Sequence, residues 1–67
     1  MEEYVIIARR KFTDPSGKES LDPFRKIVSG DSISDAIRSF HIKHSRDIYR
    51  VQAVINRGDI KGVTRLL

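Results

Sequence analysis

The 67-residue chain has no cysteine, which excludes a disulfide-stapled mini-domain and any thiolate metal site and suits a reducing compartment. Long hydrophobic runs are missing too. The longest, Val5-Ile6-Ile7-Ala8, is four residues against the roughly 20 that a membrane span requires. The start, Met1-Glu2-Glu3, is acidic where an export signal is basic and then apolar, so the expected location is the cytoplasm. Aromatic residues are few: Tyr4, Tyr49 and three phenylalanines, too sparse and too core-like for a platform on which single-stranded bases stack. No Gly-x-x-x-x-Gly-Lys loop, Gly-x-Gly-x-x-Gly turn or Gly-x-Ser-x-Gly elbow is present, so the common nucleotide-binding and hydrolase templates do not apply. Three strands and a helix from so short a chain leave little room for an enclosing cleft, and the expectation is a non-enzyme without cofactor, small-molecule substrate or membrane partner.

What is present is basic charge, unevenly spread. Residues 1–22 carry four basic and five acidic groups, net −1; residues 23–67 carry nine and four, net +5. Between Arg38 and Arg57, five cations (Arg38, Lys43, Arg46, Arg50, Arg57) face Asp47 alone. Such an excess reads either as a solvated basic surface or as a footprint for a polyanion.

The pattern along the chain predicts one β-β-α-β domain over 1–67. Residues 3–12, rich in β-branched and aromatic side chains, read as a strand with Tyr4, Ile6, Ala8 and Phe12 on its more apolar face. Asp14-Pro15-Ser16-Gly17 is a turn inside a long hairpin loop over 13–21, and residues 23–28 read as a short second strand opened by Pro23. Ser32-Ile33-Ser34-Asp35 has the form of a capping box, and Ile33, Ala36, Ile37 and Phe40 fall on one helical stripe that fades near His44. Residues 48–57 alternate, placing Tyr49, Val51, Ala53 and Ile55 on one face with Val54 interrupting the other. Residues 58–67 leave two readings open, a flexible tail or a last short strand. A right-handed crossover closes these elements as an α+β fold: a three-stranded antiparallel sheet of order 2-1-3 with one helix on one face. The other face stays open and is where a binding surface is to be sought.

Arg9-Arg10-Lys11 is the densest basic triplet, and alternation along a strand turns at least one of its members to the open face. The second cluster, His44-Ser45-Arg46 with Arg50, lies at the helix exit, where cations also favour the helix C-terminus. His41 and His44 share one helical side but lack a third ligand of matched spacing, and Arg57-Gly58-Asp59 reads as a turn after a strand. The candidates for RNA phosphate contact are Arg9, Lys11, Arg46 and Arg50, then Lys43 and Arg57.

Phe12, a loop, Pro23-Phe24-x-Lys26-x-Val28, a helix with Ala36, then Ser45-Arg46 and an alternating strand resemble the small archaeal large-subunit ribosomal proteins of the LX family, from Tyr4 to about Lys61. The resemblance implies a β-β-α-β domain bound to ribosomal RNA and neighbouring large-subunit proteins, without catalysis. It also implies that Ser45 and Arg46 sit in an RNA-contacting loop. The chain departs from the family where His44 replaces a glycine and Asp47 a histidine of that loop, and where Arg10 replaces a glycine ahead of Phe12. The same outline occurs in small phage proteins, both RNA polymerase inhibitors and microvirus DNA-binding proteins. A small protein-binding regulator, or a phage-type inhibitor or DNA-binding protein, is the alternative expectation.

Overall fold

The computed structural model describes residues 2–58 and 63–65. Its elements are β1 (Glu2–Thr13), β2 (Glu19–Gly30), α1 (Ile33–Lys43), β3 (Tyr49–Asn56) and β4 (Val63–Arg65). The sheet order is β2-β1-β3-β4 with every neighbouring pair antiparallel, so the expected 2-1-3 arrangement is present and extended by one strand. Of the two readings for 58–67, the strand holds for Val63–Arg65, which pair with Ala53–Ile55; Gly58 lies in a turn, and 59–62 and 66–67 are outside the described residues.

The hairpin is longer, and its loop shorter, than the sequence predicts. β2 runs from Glu19 rather than Pro23, and the loop contracts to Asp14–Lys18. The Asp14 carboxylate accepts from the Ser16 N–H (2.9 Å), the Ser16 hydroxyl (2.6 Å) and the Lys18 N–H (2.9 Å). These bonds hold its pKa below the usual value. Gly17 supplies the left-handed backbone at φ 88°. With the turn fixed, residues 19–22, weak strand formers by composition, are drawn into the ladder opposite Arg10–Thr13.

Pro23 therefore sits inside β2, opposite Arg9. The Lys11 N–H donates to the Ile48 carbonyl and the Arg57 N–H to the Glu3 carbonyl, so odd-numbered β1 residues bond toward β3. Arg9 asks nothing of β2, and Pro23 turns its donor-less nitrogen outward on an edge strand, where it also discourages edge pairing.

Tyr4, Ile6 and Ala8 are buried beneath α1 with Ala36, Phe40 and Val54, flanked by Phe24, Val28, Ile33, Ile37, Tyr49 and Val51. The helical stripe is as the spacing predicts. Ser32 caps the helix, its hydroxyl accepting from the Asp35 N–H at 3.1 Å, while the Asp35 carboxylate lies 3.8 Å from Arg38 instead of closing the box. Gly30 lies close under the helix start: a Cβ there would come within 3.0 Å of the Ala36 nitrogen, tight enough that the backbone would have to give by a few tenths of an ångström. Phe12 departs from expectation at 47% exposure. The 11-residue helix spans about 16 Å, against about 40 Å for the 12-residue β1, so the far end of the hairpin projects beyond its cover.

The alternation of β3 is also broken. Ile7 pairs with Ala53 and Ala8 with Val51, which leaves Gln52 as a bulge. Tyr49 and Val51 therefore face the helix, and beyond the bulge it is Val54, fully buried, that does so. Ala53 and Ile55, expected on the face of Tyr49, lie on the open side with Ile7 and Val5.

Candidate nucleic-acid interface

The strand registers build the open face residue by residue. Cross-strand partners share a face, so β1 presents Val5, Ile7, Arg9 and Lys11 there; β2 adds Ile27, Arg25, Pro23 and Leu21, and β3 adds Ile55, Ala53 and Arg50. Arg9 and Arg50 are direct partners across the β1–β3 ladder. The odd residues of β1 bond toward β3, which makes this a hydrogen-bonded pair with Cα atoms about 5.5 Å apart. Arg25 is opposite Ile7, on the diagonal from Arg9 at about 7–8 Å. A row Arg25–Arg9–Arg50 thus crosses three strands.

All three arginines are exposed, and among the described residues none has an acidic partner within salt-bridge distance. Like charges directly opposite one another cost stability, and no described carboxylate lies within salt-bridge distance of this pair. Asp47 and Glu19 line the shallow hollow that holds Arg9, Lys11 and Arg50, and Glu19 is taken up by Lys11 at 3.2 Å.

The other sequence candidates are scattered. Lys11 lies on the same face but carries that exposed ion pair, which is weak. Arg57 is at the opposite end, bonded to Glu3 at 3.2 Å. Lys43 is exposed in the last turn of α1, across the sheet from the arginine row. Ser45 is spent on the turn: its hydroxyl accepts from the Asp47 N–H at 3.2 Å and its carbonyl from the Ile48 and Tyr49 N–H groups at 3.1 and 2.8 Å. Arg46 is exposed in that turn, which the Lys11–Ile48 bond ties to the Arg9 end of the sheet. Arg25 was not a sequence candidate, although alternation with Phe24 and Val28 already turns it to the open face; the Asp14–Lys18 turn sets the register that brings it opposite Ile7.

No described aromatic side chain belongs to the open face. Phe24, Phe40, His44 and Tyr49 cluster under the helix, with the His44 and Phe40 rings stacked at 4.4 Å and Phe24 edge-on to Tyr49 at 4.9 Å. Nδ1 of His44 is 2.9 Å from the Phe40 carbonyl and Nδ1 of His41 is 2.8 Å from the His44 carbonyl; since a carbonyl only accepts, both Nδ1 atoms carry hydrogen. The two histidines thus close the C-terminus of α1. At the other end of the core the Tyr4 hydroxyl donates to Glu2 at 2.6 Å, which raises the Tyr4 pKa to about 12 and lowers that of Glu2.

Among the described residues no helix is long and apolar enough to cross a membrane. Compared with known proteins, the chain matches no family model, no curated protein and no solved structure.

Proposed function

We propose that this protein is a structural, non-catalytic component of the large ribosomal subunit, in the cytoplasm, that holds ribosomal RNA by its phosphate backbone. The observation that carries the polyanion reading is the Arg9–Arg50 pair: two unpartnered guanidinium groups set side by side, with Arg25 continuing the row. A row of this kind neutralises successive phosphates and releases their counterions. The sequence resemblance supports ribosomal RNA as the polyanion. With no aromatic on the open face, base stacking has no platform, and the contact is to the backbone of structured RNA rather than to splayed single-stranded bases. Arg46, at the same end, and Lys11, once released from Glu19, extend the contact; Lys43 and Arg57 lie outside it.

Three phosphate contacts give a salt slope near −2.7, about a 40-fold loss of affinity between 50 and 200 mM salt. The test is co-sedimentation with purified large subunits at moderate salt. The protein is expected in the pellet and the Arg9→Gln/Arg50→Gln variant in the supernatant. Wild-type protein left in the supernatant overturns the ribosomal reading.

A further inference from the structure

The open face is basic at one end only. Toward Glu3 it turns apolar: Val5 pairs with Ile27 on one side and Ile55 on the other, and Ile7 pairs with Ala53. Val5, Ile7, Ala53 and Ile55 are half-buried and Ile27 is 49% exposed. Val5, Ile7, Ile27 and Ile55 line a shallow hollow with Arg25, Lys26 and Arg57 at its rim. The helix covers the opposite face, and a phosphate backbone gains nothing from aliphatic side chains, so RNA on the arginine row leaves this hollow unused.

Charge and area select the occupant. A second copy would bring its own Arg9, Arg25 and Arg50 to the same interface. The five aliphatic side chains among the described residues also fall well short of the ~800 Å² per partner that a stable dimer buries. The patch is sized for one short segment, and the rim charges without an ion pair among the described residues, Arg25 and Lys26, are positive; Arg57 is already paired with Glu3. We infer that the apolar end of the open face docks an acidic amphipathic segment of a partner protein, its aliphatic side chains seated over Val5, Ile7 and Ile27 and its carboxylates turned to Arg25 and Lys26 at the rim. The domain then joins a protein to a polyanion across one sheet, and the protein contact stands whether or not RNA takes the row.

The full chain, labelled with nitrogen-15, is titrated with a synthetic peptide bearing leucine at i, i+3, i+4 and i+7 and flanking glutamates, with the same peptide carrying lysines instead, and with an RNA duplex. The glutamate peptide is expected to shift the amides of Val5, Ile7, Ile27, Ala53 and Ile55, and the lysine peptide to bind at least about tenfold more weakly. Ile27→Gln, neutral and at a half-exposed edge position, should weaken the peptide about fivefold while leaving RNA affinity within about twofold. Arg9→Gln/Arg50→Gln should show the reverse preference. The proposal is overturned by no shift up to roughly millimolar peptide, by shifts centred on the helix, or by equal affinity for the two peptides. Ile27→Gln weakening RNA and peptide alike, or concentration-dependent self-association shifting the same amides, overturns it as well.

Discussion

Arg9 and Arg50 stand opposite each other in the β1–β3 ladder, two exposed cations in a hydrogen-bonded pair with no described carboxylate within salt-bridge distance of either. Relieving that repulsion should stabilise the fold while damaging the interface. Arg50→Gln is expected to raise unfolding stability by about 0.2–1 kcal/mol. It should also flatten the salt dependence of RNA binding by about 0.7–0.9 per lost phosphate contact. Urea unfolding and filter binding across a salt series check the two signs; a variant that is both less stable and unchanged in slope would remove Arg50 from the interface.

Phe40 is the largest fully buried side chain and touches Phe24, His44 and Tyr49. Phe40→Ala should cost about 3–5 kcal/mol, which in a domain this small abolishes the folded state at room temperature. Ser32→Ala, removing the helix cap, should cost about 1 kcal/mol and leave a cooperative thermal transition, lowered by several degrees and readable by circular dichroism.

The Tyr4–Glu2 hydrogen bond predicts losses of stability at both ends of the pH scale. Tyr4 has a folded pKa raised from 10.0 to about 12, so its contribution is complete below pH 10 and declines as pH rises toward 12, where the unfolded chain gives up the proton first. Glu2 has a folded pKa lowered from 4.5; its contribution is present above 4.5 and is lost as pH falls through the lowered value. Because one bond carries both shifts, Tyr4→Phe should remove the alkaline component and most of the acid one, and Glu2→Gln should remove the acid component and weaken the alkaline one, with chemical denaturation from pH 3 to 12 as the measurement.

Gln52 is the bulged residue of β3. Deleting it should restore a regular ladder with Tyr49, Val51 and Val54 still facing the helix, so the shortened chain is expected to fold. A one-residue insertion between Arg50 and Val51 should instead break the pairing of Arg9 and Arg10 with β3 or turn Val51 out of the core. Amide spectra of the two chains distinguish them; an unfolded deletion chain would mean that the bulge is required.

Local chemistry made much of this molecule legible in its sequence. The Ser32 cap and the spacing of Ile33, Ala36, Ile37 and Phe40 define the helix because they depend on neighbours one turn away. The β-branched density of residues 3–12 defines the central strand, and Arg9, Lys11 and Arg50 are found from charge and alternation alone. Tertiary pairing decided the rest. The β1–β3 register at the bulge determines that Val54, not Ala53 or Ile55, enters the core, and a period of two cannot reveal where an extra residue is inserted. The turn held by Asp14 draws residues 19–22 into a strand against their own propensity and sets Arg25 opposite Ile7. The short reach of the helix leaves Phe12 uncovered. Each of these depends on a partner distant in sequence, whose position is a property of the assembled sheet and not of the residues that respond to it.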